Sequence, residues 1–274
     1  MSVERIASFS AGSHGGNPAG VWIGDALPPA AEMQRIAAEV GYAETAFAAR
    51  HGAAWTVRYF APETEVPFCG HATIALGAAL ARRFGPGTFR LELAATEITV
   101  TGGRSGDLFE ATLISPPTRS RPLEPGILAD LLTLFGWSAA DLDATIPPAR
   151  IHGGSDHAVL TVDRRETLAA MAYDVEAGAR LMRREGWITI LLVRRADDRV
   201  FDVRNAFAAG GLVEDPATGA AAAAFAGYLR DLGHAAGAID IRQGDDMGHP
   251  CRLRAEFDAV PGAGIRVSGT ARDI

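Results

Sequence analysis

The 274-residue chain is 48% hydrophobic and 22% charged with a mean hydropathy near zero, a composition that fits a globular protein of one large or two ordinary domains. Its formal charge of −7, with basic residues scattered singly and in pairs, argues against a nucleic-acid partner. All 26 basic residues are arginine, so neither a lysine-linked pyridoxal phosphate nor a Walker A loop can be built from this chain.

The first strand is expected at Val3 to Phe9, and Gly12-Ser13-His14-Gly15-Gly16-Asn17-Pro18 then turns the chain into a second strand at Ala19 to Ile23. Asn17 can aim its amide at a ligand or simply serve the Asn-Pro turn, and both readings stay open. Pro28-Pro29 opens an amphipathic helix through Met33, Ile36, Ala37 and Val40, closed by Gly41. Tyr42 to Ala48 reads as a short strand holding one carboxylate, Glu44, which either faces solvent at a strand edge or is buried for use. Trp55 to Phe60 is a further strand, and the loop Pro62 to Pro67 carries the chain into a helix beginning near Gly70. Short strands follow at Thr88 to Leu93, Glu97 to Thr101 and Leu108 to Leu113, and Ser115-Pro116-Pro117-Thr118 breaks the pattern. That break divides the chain into a first half, 1–116, and a second, 117–274, with the last strand near 264–274 a candidate to pack back onto the first.

The second half reads as a helix at Pro125 to Phe135, a short helix capped by Ser138, and a strand at His157 to Val162. Helices at Arg164 to Met171 and Val175 to Glu185 and a strand at Trp187 to Val193 come next. Val200 to Ala208 leads to a second glycine-marked segment and helix, and Ile239 to Arg242, Cys251 to Phe257 and Gly264 to Ser268 complete a mostly antiparallel set. Without regular βαβ alternation, the fold class is α+β.

Two segments stand out as versions of one another, Cys69-Gly70-His71-Ala72-Thr73 and Asp215-Pro216-Ala217-Thr218-Gly219. Each follows a strand ending in Phe-Ala and opens a run of small apolar residues, Ile74 to Ala81 and Ala220 to Leu229, with a glycine near its end. A helix apolar all round is a buried helix. Phe60 precedes Cys69 by nine residues and Phe207 precedes Asp215 by eight, which indicates an internal duplication displaced by about 147 residues. Two buried helices then present N-terminal N–H groups suited to a carboxylate or phosphate. The side chains leading into them are Cys69, His71 and Asp215.

Together with Gly16-Asn17-Pro18-Ala19, Ala43-Glu44-Thr45-Ala46-Phe47, Glu65 to Thr73, Glu214 to Gly219 and Gln243 to Gly248, these segments resemble the phenazine-biosynthesis PhzF-like family, in order and nearly end to end. The resemblance implies the diaminopimelate-epimerase-like fold, two pseudo-symmetric halves each wrapping a barrel-like sheet around a central helix with the active site in the cleft between them. It implies a catalytic glutamate at Glu44, the Gly-His pair at Gly70 and His71, an aspartate at Asp215 and a ligand-facing backbone at Gly219. Asn17, Cys69, Thr218 and Ala220 are the further substrate-binding candidates. The reaction implied is isomerisation of a dihydro-hydroxyanthranilate-like substrate without metal or organic cofactor, in a homodimer. Many relatives carry a serine where this chain has Ala220, which removes a hydroxyl contact to the substrate.

On this reading Glu44, placed among Tyr42, Ala46 and Phe47, both accepts and returns a proton, His71 donates to or relays from the intermediate, and Asp215 is a second acid or base or orients His71. The duller readings are that His71 caps its helix, that Asp215 before Pro216 is an N-cap, and that Cys69 is a small buried hydrophobe. The alternatives of function are an epimerase or racemase using Cys69 with Asp215 or Glu44, and a small-molecule binding protein that has lost turnover. A metal on Cys69 and His71 is not expected, because no second ligand cluster of recognisable spacing accompanies them, and no Gly-x-Gly-x-x-Gly follows a strand to hold a dinucleotide. No apolar run reaches the ~18–20 residues that span a bilayer, and the first residues lack the pattern of a signal peptide, so no membrane partner, a cytoplasmic location and reduced Cys69 and Cys251 are the expectations.

Overall fold

The computed structural model describes residues 3–94 and 96–274, which divide into two compact units: residues up to Ile114 with Ser268–Ile274, and Ser115–Val267. The first unit contains strands β1 (Glu4–Ser8), β2 (Asn17–Gly24), β3 (Thr45–His51), β4 (Ala54–Phe60), β5 (Glu65–Val66), β6 (Gly87–Glu92), β7 (Glu97–Ser105) and β8 (Leu108–Ile114), with helices α1 (Ala30–Val40) and α2 (Gly70–Phe84). The second contains β9 (Arg119–Pro122), β10 (Ala149–His152), β11 (Asp156–Val162), β12 (Thr189–Asp197), β13 (Val200–Ala206), β14 (Gly237–Gln243) and β15 (Cys251–Phe257), with helices α3 (Pro125–Phe135), α4 (Arg165–Ala169), α5 (Val175–Glu185) and α6 (Gly219–Asp231). The last strand, β16 (Arg266–Asp273), pairs with β1.

In the first unit β1, β2, β3, β4, β6, β7, β8 and β16 hydrogen-bond in that order, and the antiparallel β1–β16 pairing closes the ring. Helix α2 packs against β1, β2, β3, β6, β7 and β8, and every residue from His71 to Ala81 is buried. The absence of a polar face over this stretch is what confines the helix to the inside. In the second unit the strand order is β15-β14-β13-β12-β11-β10-β9, and α6 packs on β9, β10, β11 and β15 with Ala221 to Arg230 buried.

The duplication is visible in the connections. In the first unit α1 links the parallel pair β2 and β3, β4 returns antiparallel, and α2 links the parallel pair β4 and β6. In the second, α4 and α5 link the parallel pair β11 and β12, β13 returns antiparallel, and α6 links β13 and β14. Parallel neighbours need a crossover of this length, so each helical connection serves one parallel step in an otherwise antiparallel sheet. The outer helices cover separate cores: Met33 and Ala37 of α1 meet Trp22, Phe47 and Phe60, and α3 to α5 enclose Leu131, Phe135, Met182 and Trp187.

The central helices touch the sheet at glycines. A Cβ on Gly102 of β7 would stand 2.4 Å from the carbonyl oxygen of Gly77 in α2, and one on Gly77 would stand 2.5 Å from Val100 Cγ2. In the second unit a Cβ on Gly153 would stand 2.7 Å from the backbone nitrogen of Ala224 in α6. Three strands escape the sequence reading, β5, β9 and β10, because segments as short as Glu65-Val66 or as arginine-bearing as Arg119-Ser120-Arg121-Pro122 carry little strand signal. The reading of Arg164 to Met171 as a helix shrinks to the five residues of α4. Glu44 precedes β3 rather than lying within it.

Two outcomes follow from this packing. Gly102→Ala is expected to destabilise the protein by about 1–3 kcal/mol or more, since backbone is what the methyl meets; Gly103→Ala in the same strand, with no atom within 4 Å of its Cβ, should be near neutral in the same denaturation measurement. His157 is wholly buried on β11, its Nδ1 2.6 Å from Thr189 Oγ1, and burial pushes its pKa down from 6.5 to about 3. The unfolded chain therefore binds a proton that the folded one refuses, so stability is complete above about pH 6.5 and falls by up to about 1.4 kcal/mol per pH unit as pH drops toward 3. Denaturant midpoints between pH 7.5 and 4.5 should fall less steeply for His157→Gln than for the unmodified protein.

Candidate functional site

Helix α2 begins with Cys69 in extended conformation as its N-cap residue, and Gly70 and His71 as its first turn. The N–H groups of that turn have no partner within the helix, and the Cys69 side chain makes no capping bond. The His71 side chain is turned to other side chains. Its imidazole, only 8% exposed, lies between two other groups: Nδ1 is 3.3 Å from Cys69 Sγ, and Nε2 is 3.4 Å from Glu44 Oε2 without hydrogen-bond geometry.

The start of α2 is held from below by Thr73, whose hydroxyl donates to the Cys69 carbonyl at 2.7 Å and must therefore accept from the Tyr59 hydroxyl, also at 2.7 Å. Burial raises the Tyr59 phenol above its ordinary range, so it remains a donor. Glu44 is fixed through its backbone, its carbonyl accepting from Gly20 N on β2 at 3.1 Å. Its side chain retains 22% exposure. Of the residues expected near it, Tyr42 accepts through its hydroxyl from Arg5, and Phe47 packs into the core under α1. Asn17 opens β2 in register with Ser8 and is buried, which makes it a strand residue rather than a turn residue.

In the second unit Asp215 does not cap α6. The helix starts at Gly219 behind Thr218, so Pro216 lies outside it. Asp215 is held instead by neutral groups. Its backbone nitrogen donates to Asn205 O at 3.0 Å, its carbonyl accepts from Gln243 Nε2 at 2.7 Å, and its Oδ2 accepts from the Thr218 hydroxyl. Asn205 Nδ2 donates into the Thr218 oxygen, and Gln243 Nε2 does so at 3.4 Å. With its acceptor side occupied, Thr218 directs its one proton to Asp215. Next door, the buried Glu214 carboxylate accepts from Arg204 Nη2 at 2.5 Å and from Arg204 Nε at 3.1 Å. Ala220 is the second residue of α6 and is partly exposed.

Tyr59, Thr73, Asn205 and Arg204 were not among the sequence candidates, and Gln243 entered only within a motif. Gln243 sits at the last position of β14 before Gly244, whose φ of 78° brings its backbone against His249 O and Pro216 O. Glu44, Cys69 and His71 together present carboxylate, thiol and imidazole atoms all within 4.8 Å of one another. The linear spacing that argued against a metal ligand set did not include Glu44.

The phenazine biosynthesis-like protein family model matches residues 6–272. Among curated proteins the chain is 31% identical to trans-2,3-dihydro-3-hydroxyanthranilate isomerase of Pseudomonas fluorescens over 96% of this chain and 94% of that protein. It is 29% identical to an uncharacterised isomerase of Pseudomonas aeruginosa over 98% and 97%. Among solved structures it superposes on the PhzF-family phenazine biosynthesis protein of Bacillus anthracis with a TM-score of 0.87 at 23% identity, covering 99% of this chain and 96% of that one. No helix among the described residues is long and apolar enough to cross a membrane. The chain thus belongs to the phenazine biosynthesis-like family, a family of isomerases with the diaminopimelate-epimerase-like fold.

Proposed function

We propose that this protein is a cofactor-independent isomerase that moves a proton on a small, carboxylate-bearing, cyclic or unsaturated substrate of the dihydro-hydroxyanthranilate kind. The observation that carries the reading is the Glu44 carboxylate standing 3.4 Å from the buried Nε2 of His71 at the start of α2. A partly exposed carboxylate has a route to a substrate C–H, and the imidazole beside it can hold the proton or share it during transfer. The N–H groups of the first turn of α2, which have no acceptor within the helix, favour a carboxylate and the charge that develops as the proton leaves. Asp215 is assigned the second acid–base role. The Thr218 hydroxyl donates to its Oδ2 and holds the carboxyl group in place.

The relative from Pseudomonas fluorescens acts on trans-2,3-dihydro-3-hydroxyanthranilate by its name, and that compound is the first to test. Ala220 offers a methyl where many relatives offer a hydroxyl, which favours a substrate lacking one polar group at that contact. The second reading, an epimerase, draws on one observation: Cys69 Sγ lies 3.3 Å from His71 Nδ1, an arrangement that can activate the thiol as a base.

Deuterium incorporation from heavy water into a panel of small carboxylates separates the readings. Glu44→Gln is expected to lower exchange by about 10²–10⁴-fold, the usual worth of a positioned general base, while Cys69→Ala retains it. Exchange at an amino-acid α-carbon that is lost in Cys69→Ala and kept in Glu44→Gln would establish the epimerase instead. Thr218→Val is expected to cost about tenfold or more in kcat, the worth of one hydrogen bond to a charged group, with Thr218→Ser restoring most of it.

A further inference from the structure

We propose that Cys69, His71 and Glu44 form a nucleophilic relay that gives the protein a second activity, hydrolysis of esters and thioesters of small acids through an acyl-Cys69 intermediate. The proposal stands on the geometry of these three residues and does not depend on the isomerase reading above.

The imidazole of His71 is addressed from its two opposite nitrogens. Nδ1 is hydrogen-bonded with Cys69 Sγ at 3.3 Å, and Nε2 stands 3.4 Å from Glu44 Oε2. That is the order a nucleophilic thiol requires, with a base on the sulfur and a third group behind the base. Nε2 is buried and makes no hydrogen bond, so Glu44 acts on the ring through its charge. When the thiol proton passes to Nδ1, the imidazolium lies between thiolate and carboxylate, and both anions stabilise it. Among the described residues the Glu44 carboxylate has no other ion-pair partner.

The sulfur is also placed at the start of a helix. Cys69 is the extended N-cap residue of α2 and its side chain makes no capping bond, while the Thr73 N–H donates to the Cys69 carbonyl at 3.0 Å. The N–H groups of Gly70, His71 and Ala72 therefore have no acceptor within the helix, and this positive end favours a thiolate and the oxyanion that forms when it attacks a carbonyl. The Thr73 hydroxyl, donating to the same Cys69 carbonyl at 2.7 Å, fixes the backbone from which the thiol is presented.

Water is the one co-reactant the cycle needs. Sγ attacks the ester carbon, and the leaving oxygen or sulfur departs with the proton held on His71 Nδ1. A water then gives a proton to Nδ1 as its oxygen attacks the thioester; the acid is released, and the sulfur takes the proton back. Glu44 stays ionised throughout as a positioning residue. Cys69 and His71 are each 8% exposed and Glu44 22%, which limits the acyl group to a small one.

The probe is p-nitrophenyl acetate, and the chain has no lysine to compete for it. The unmodified protein is expected to turn the ester over and, quenched in acid during turnover, to carry one acetyl group on the peptide that holds Cys69. Cys69→Ala, or alkylation of Cys69 in the unmodified protein, should abolish both, and Cys251→Ala should change neither. His71→Asn should slow acetylation by about 10²-fold or more, the worth of a positioned base, and Glu44→Gln by about tenfold with KM unchanged. At about pH 7 a free thiol is only a few per cent ionised, whereas ultraviolet absorption should show more thiolate in the unmodified protein than in Cys69→Ala or Glu44→Gln. Turnover no faster than that of Cys69→Ala, an acetyl group on another residue, or acetylation undiminished in His71→Asn overturns the relay. An acetyl group that forms on Cys69 and stays there overturns the hydrolysis. A protein that is acetylated and released at Cys69 yet exchanges no proton on any substrate upholds the second activity and counts against the isomerase reading alone.

Discussion

The structure depends on one steric constraint, the contact of a side-chain-free stretch of sheet with the backbone of a buried helix. At Gly102 the strand lies against the Gly77 carbonyl of α2 with no room for a methyl group. Such an approach lets a helix of small residues lie close against the sheet inside an eight-stranded ring. It also restrains the helix along its axis, because Gly77 and Ala81 stand directly against Gly102. What is fixed with it is the first turn, and therefore the position of Cys69 and His71 relative to the strand that delivers Glu44.

The two units share their connections and differ in how they use the start of the central helix. The first places titratable groups there, a thiol and an imidazole beside a carboxylate. The second holds Asp215 through amide and hydroxyl groups and, beside it, pairs Glu214 with Arg204. A duplicated backbone has thus been given a different network at each helix start. Thr218 shows how closely the second is specified, since the donors pointed at its oxygen leave its proton a single destination.

Much of the fold was legible because its strongest signals are local. The apolar runs from Ile74 and from Ala220 have no polar stripe, so burial follows from composition alone, and Gly41, Gly85 and Gly233 mark helix ends by their left-handed or otherwise positive φ. The candidate residues were legible in part for the same reason: Cys69 and His71 sit two apart at a helix start. What was not legible is the company they keep. Asp215 before Pro216 has the local look of an N-cap, and the sequence carries no sign that Gln243, 28 residues on, takes its carbonyl and moves the helix start to Gly219. Glu44 reaches His71 across 27 residues, and the residue types alone did not pair them; the family resemblance did.

The pairing of β1 with β16 also sets an order of events. Ile6 opposes Asp273 and Ser8 opposes Ala271, so the unit whose strands are synthesised first is closed by a strand that follows nearly all of the second unit. Until it arrives, β1 and β8 present open edges, and α2, apolar on every side, has no complete wall around it. The late closure makes this a chain of high contact order, slow to complete and exposed at two sheet edges while it waits. On the ribosome, then, the unit bearing Glu44, Cys69 and His71 cannot close until the chain has been made through β16.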